Sequence, residues 1–210
     1  MDKKIELIRR WLGNGAINIF GIQFSGKDTL GVPLAKDLGA NFISSGDIVR
    51  MAAAGHDDTN IQKAAQISNS GELTPTDHFK KLIVPYLEDK RLSGRPLVLD
   101  SVGRWHGEEE TVMSALNIGG HPLKAVLILN IPEAEVWRRW ELVKESRNGG
   151  RADDKTKERV QHRLDEFRNK TLPVISYYRA RNYTISIDAT GSIEETYHQV
   201  VDKLADFASK

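Results

Sequence analysis

Hydrophobic residues recur along this chain with two periods. Ile5, Leu7, Ile8, Trp11 and Leu12 fall at mostly helical spacing and Gly13 and Gly15 follow, so residues 2–12 are expected to form a helix packed on the body. The apolar, β-branched run INIFGI then predicts a strand, a glycine-bearing loop and a helix through about residue 38. Pro33 is read near the start of that helix, where a missing N–H is best tolerated. ANFIS, GRPLVLD, LKAVLILNI and YTISIDA read as four further strands. LKAVLILNI is apolar on both faces, as a buried parallel strand requires. Helical stretches are expected at about 46–54, 59–69, 76–91, 107–117, 133–146, 155–180 and 192–208. Alternating strands and helices predict an α/β fold with a parallel sheet covered on both sides.

Composition narrows the classes. A chain of 210 residues fits one domain with a substantial core. Its net charge of +1 gives no reason to expect nucleic acid or an anionic membrane as partner. With no cysteine, disulfides and cysteine-ligated zinc are excluded. The first 15 residues carry charge throughout, and no apolar run reaches the ~20 residues that span a bilayer, so a cytoplasmic protein is expected. The six histidines, His56, His78, His106, His121, His162 and His198, show no metal-ligand spacing.

The chemistry-bearing stretch is FGIQFSGKDTLG. It contains G-x-x-x-x-G-K from Gly21 to Lys27, after a predicted strand and at the opening of a predicted helix. In such a loop, around Phe24, Ser25 and Gly26, successive backbone N–H groups make an anion-binding nest, the helix adds its positive end, and the lysine reaches the outer phosphates. The usual pattern has Ser or Thr directly after the lysine as a magnesium ligand. Here Asp28 stands there, and Thr29 comes one later. A carboxylate in the first turn of a helix is favoured by roughly 0.3–1 kcal/mol, so Asp28 is read as facing outward or holding a water on the metal. The charge-dense stretch KESRNGGRADDK reads as a solvated loop or as a mobile cover over a charged ligand.

FGIQFSGKDTLGVPLAKDLGANFISSGDIVR resembles the opening of adenylate kinases and related nucleoside monophosphate kinases. That family also places a threonine two residues after the lysine; glycine usually stands where this chain has Asp28, and again where it has Phe24. The resemblance implies a P-loop NTPase fold, three layers around a five-stranded parallel sheet of order 2-3-1-4-5. It also implies one domain over 1–210, with a helical extension at 1–15, a monophosphate-binding segment at 44–78 and a short lid at 144–155. Gly21, Phe24, Ser25, Gly26, Lys27, Asp28, Thr29, Arg139 and Gly191 would then contact ATP.

Further segments carry the likeness. SSGDIVR implies that Ser45, Gly46 and Arg50 receive the acceptor monophosphate, and GELTPTD that Leu73 and Thr74 line its base. PLVLDSVGR implies Asp100 as the aspartate that holds Mg²⁺ through water and Arg104 as a grip on the acceptor phosphate, with Ser101 in the pocket wall. A gapless extension puts Glu108 where the family reads adenine with glutamine. A carboxylate accepts only, which suits guanine better. Arg139, Arg151 and Arg163 match phosphate-binding arginines, with Arg147 a looser match and Arg159 a fallback for Arg163. Asp153 and Asp154 match the aspartates that pair with lid arginines on closure. Trp137 and Trp140 are read as packing residues.

The expected activity is transfer of the γ-phosphate of ATP to a nucleoside monophosphate, most simply AMP. Lys27, Arg104, Arg139, Arg151 and Arg163 would neutralise developing charge, with Mg²⁺ as companion of ATP, no zinc, and a monomeric protein free of nucleic acid and membrane. Two other readings stay open beside it: a kinase for another acceptor such as GMP, and a non-catalytic nucleotide sensor. A shikimate- or gluconate-kinase-like activity is disfavoured by the SSGD, GELTP and RADD segments.

Overall fold

The computed structural model describes residues 1–46, 48, 76–144 and 156–210. All of the helix expected at about 46–54 except residues 46 and 48, the whole of the helix expected at 59–69, and residues 145–155 of the lid expected at 144–155 lie outside the described residues.

Strands β1 (Ala16–Gly21), β2 (Asn41–Ser44), β3 (Leu97–Asp100), β4 (Leu123–Asn130) and β5 (Thr184–Asp188) form one sheet in the order β2-β3-β1-β4-β5. Every pairing is parallel. The order is the expected 2-3-1-4-5. β1 lies at the centre and all six of its residues are buried. The period-2 pattern sorts its side chains: Ala16 and Phe20 join the core on one face, Ile17 and Ile19 the core on the other.

Among the described residues, three helices pack on each face. On one side lie α1 (Asp2–Leu12), α2 (Lys27–Leu38) and α8 (Ile193–Ala208), which bury Ile8, Leu34 and Val201 against Ile17, Leu127 and Ile187. On the other lie α3 (Thr76–Leu87), α4 (Glu109–Gly119) and α7 (Leu172–Ala180), which bury Ile83, Leu116 and Tyr178 against Phe20, Val126 and Ile128. Two further helices, α5 (Glu133–Val143) and α6 (Lys157–Glu166), share a smaller core of Val136, Trp140, Val160 and Leu164, on which Ile22, Phe24 and Ile131, from beyond the C-terminal ends of β1 and β4, also pack. Trp140 belongs to that core and Trp137 packs on it, as expected of packing residues.

The N-terminal helix is an integral part of one layer. α1 lies along α8, with Trp11 meeting Phe207 edge to face at 5.9 Å and Lys4 bonded to Asp202 at 2.8 Å. α2 sits close on β2 because residue 31 is glycine: a Cβ there would meet the Phe42 ring at 2.4 Å.

Two helices depart from expectation. Pro33 falls in the middle of α2, past its first turn, so the Thr29 carbonyl loses its helical donor. The span read as one helix over 155–180 contains a π-helical turn, Phe167–Thr171, between α6 and α7. Such turns often mark functional sites, and this one borders the cavity described below.

One polar side chain lies inside the central strand. Asn18 is fully buried; its Nδ2 donates to the Val102 carbonyl at 2.8 Å, and its Oδ1 accepts from the Val102 N–H at 3.2 Å. It thereby holds the turn that follows β3. Removing it strands two buried backbone groups, each costing roughly 1–3 kcal/mol. Asn18→Leu is therefore expected to lower unfolding free energy by about 2–4 kcal/mol, read from urea denaturation.

Candidate active site

The glycine loop leaves the C-terminal end of the central strand, where neighbouring connections run to opposite sides and open a crevice. Gly26, at φ 89°, caps the N-terminus of α2 in a left-handed conformation. Lys27 begins the helix. Phe24 also has a positive φ, 62°, in a region where a side chain costs roughly 1–2 kcal/mol. That value explains why glycine is the ordinary residue at this point of the loop.

A cavity of about 640 Å³ opens over the loop. That size suits a ligand of nucleotide dimensions. Phe24, Ser25, Gly26, Lys27, Asp28 and Thr29 line one wall. Asp100 and Arg104 arrive from the end of β3, Arg139 from α5, Arg163 from α6, and Gly191 from the turn after β5. A smaller polar recess of about 30 Å³ continues inward, bounded by Gly21, Lys27, Ser101, Arg104 and Arg163. The structure thus gathers these predicted residues into one place from five segments of chain.

The Ser25 hydroxyl is buried and has no partner among the described residues, as a hydroxyl meant for a ligand oxygen would be. Lys27 turns its ammonium inward and donates to the carbonyls of Gly21 and Ile22 at 2.8 and 3.3 Å. Its pKa is lowered to about 8, chiefly by burial and further by the nearby guanidinium groups of Arg104 and Arg163, while Asp100 and Asp28 oppose the shift.

Asp100 is buried at the end of β3, with the Ser101 hydroxyl 3.0 Å from its Oδ1. Ser101 has φ 51°, and its N–H donates to the Ile19 carbonyl at 2.9 Å. This sharp turn, held beneath by Asn18, aims Arg104 at the cavity. Asp28 is exposed on the first turn of α2 and borders the cavity together with Thr29. Asp100, Asp28 and Thr29 supply only oxygen donors, the chemistry Mg²⁺ accepts.

Arg139 is placed differently from a simple phosphate grip. Its Nε donates to Glu135 at 2.6 Å, Nη1 to the Phe24 carbonyl at 3.0 Å and Nη2 to the Ala189 carbonyl at 2.6 Å. Three of its five N–H groups are thus engaged with the protein.

Some expected residues lie apart. Ser45 and Gly46 are partly buried just after β2, away from the walls of these two cavities. Glu108 is 1% exposed and also away from them. Its Oε2 accepts from the Trp105 N–H at 3.2 Å, and burial pushes its pKa up. Its neighbour Glu109 accepts from the Gly107 N–H at 2.6 Å, so both acids brace the turn that carries Arg104. Arg50, Leu73, Thr74, Arg147, Arg151, Asp153 and Asp154 lie outside the described residues.

The structure adds wall residues that sequence reasoning missed. Gln23, Arg138, Leu142, Ile193 and Thr196 border the large cavity; Glu166 and Thr171 border the small one. Gln23 occupies a free position of the loop motif, which places no demand on residue type. Ser192 could have been found: it begins α8 with a full capping box to Glu195, a spacing visible in SIEE.

The adenylate kinase family model matches residues 19–183 of this chain. The adenylate kinase of Thermus thermophilus is 30% identical over 185 residues, covering 88% of this chain and 94% of that protein. That of Thermobifida fusca is 34% identical over 188 residues, covering 89% and 96%. A gluconokinase from Sinorhizobium meliloti superposes with a TM-score of 0.59 at 21% identity, over 93% of this chain and 94% of that one. At that identity the superposition speaks for the fold alone.

An anion bound beside Lys27 must raise a pKa that now stands at about 8. ATP binding at pH 8 is therefore expected to take up about half a proton. Calorimetric titration in two buffers of different ionisation enthalpy measures it. Lys27→Met, at saturating nucleotide, is expected to lose that uptake.

Proposed function

This chain belongs to the adenylate kinase family, and on that premise we propose that it catalyses ATP + AMP = 2 ADP. The family makes it a phosphotransferase acting on a nucleoside monophosphate; AMP as the acceptor is our reading. The observation that carries the proposal is the convergence of Lys27, Asp100, Arg104 and Arg163 over a phosphate-type loop in one nucleotide-sized cavity.

Phosphoryl transfer asks the protein to hold two anions in line and to neutralise charge as it develops. Lys27 and the nest of loop N–H groups would hold the outer phosphates of ATP. Arg104 and Arg163 border both the large cavity and the inner recess, a placement suited to phosphate oxygens of both substrates. Arg offers a planar fork that matches those oxygens in pairs. Mg²⁺, when bound with ATP, supplies charge neutralisation on its phosphates, and Asp100 would hold it through water, assisted by Asp28. Arg139 lines the same cavity with its N–H groups tied to Glu135 and to the Phe24 and Ala189 carbonyls, which suits steadying the loop better than a grip on phosphate.

The roles of Arg50, Leu73 and Thr74 at the acceptor, and of Arg151, Asp153 and Asp154 in a lid over 144–155, rest on sequence resemblance. Glu108 bears on the choice of base. The resemblance sets it at the base-reading position, yet it is buried off the cavity walls and its Oε2 accepts from the Trp105 N–H.

A panel of acceptors tests the proposal. With ATP and Mg²⁺, diphosphate formation is expected to be fastest with AMP among AMP, GMP, CMP, UMP and dTMP. Fastest transfer to GMP would reassign the acceptor, and no transfer to any would leave a nucleotide sensor. Arg163→Ala is expected to lower kcat by a factor of about 10²–10³, with little change in melting temperature.

A further inference from the structure

Two residues of the phosphate loop border the cavity and also make contacts with α5 and α6. Gln23 is buried and donates from Nε2 to the Val160 carbonyl in α6 at 2.9 Å. Phe24 packs its ring on the core that Val136 and Trp140 of α5 share with Val160 and Leu164 of α6. From the other direction, Arg139 of α5 donates to the Phe24 carbonyl at 3.0 Å. The loop is thus tied to this helix pair by a side-chain hydrogen bond, an apolar contact and a guanidinium.

We infer that Gln23 and Phe24 are positioning residues that set the phosphate loop in its anion-receiving shape before ATP arrives. The inference rests on the donor site as read above. A glycine at position 24 would adopt φ 62° freely but would leave it just as freely, so the nest would form only part of the time. Phenylalanine enters this conformation at a cost and is held there by its ring and by the grip on its carbonyl. Gln23 fixes the preceding residue. The two act through the loop's backbone N–H groups. A loop that is competent only part of the time binds more weakly in proportion to that fraction.

Titration calorimetry with ATP, paired with steady-state kinetics, tests this. Gln23→Met keeps the volume and removes the donor; Phe24→Gly removes the ring and restores backbone freedom. Each is expected to raise the ATP dissociation constant and the KM for ATP about tenfold, with the loss falling on these and not on kcat at saturating ATP. Phe24→Leu, which keeps an apolar anchor, is expected to recover most of the affinity. Variants that melt earlier yet bind ATP within twofold of the parent would overturn the inference and leave the brace as packing. A parent protein that does not bind ATP would overturn the donor-site reading itself, and the inference with it.

Discussion

Lys27, Arg104 and Arg163 are like charges held around one cavity, and the rest of the structure exists in part to hold them there. Their mutual repulsion shows in Lys27, whose pKa the two guanidinium groups help to depress. Flexible segments would let such groups drift apart. Here each is fixed close to a rigid element: Lys27 at the head of α2, Arg104 four residues beyond β3, Arg163 in the last turn of α6. Asp100 is the compensating charge. Held in this way, the cations make an electrostatic site already organised for an anion, where stabilisation costs little further rearrangement.

Buried polar contacts do much of that holding. Asn18 sits in the central strand, where an apolar residue would pack more simply, and spends both ends of its amide on Val102. Glu108 and Glu109 then brace the turn beyond Arg104. Burial of this kind is worthwhile only when the hydrogen bonds are made. The π turn at Phe167–Thr171 belongs to the same region, and Phe167 and Thr171 border the inner recess.

The residues that depart from the usual loop pattern are compatible with the same site. Asp28 points its charge to the exposed first turn of α2, where the helix end tolerates it. Phe24 replaces conformational freedom with contacts to the α5–α6 core. Arg139 fastens that loop and the turn after β5 to α5.

Sequence by itself determined the strands, the order of elements, the N-terminal helix on the body and the glycine loop with Lys27 at the head of α2, whereas Asp100, Arg104 and Arg163 were pointed to by family resemblance. Those are local patterns, written in hydrophobic period, glycine spacing and short motifs. It did not determine what Arg139, Gln23 and Asn18 do. Each pairs with a group 84 or more residues away: Asn18 with Val102, Arg139 with Phe24, Gln23 with Val160. Pro33 and the π turn were misread for a related reason, because tertiary packing can carry a helix through a residue or a register that local propensity disfavours. Only the folded chain sets which distant groups meet, since the partner of a buried donor is chosen by geometry across the sheet and not by neighbours in sequence.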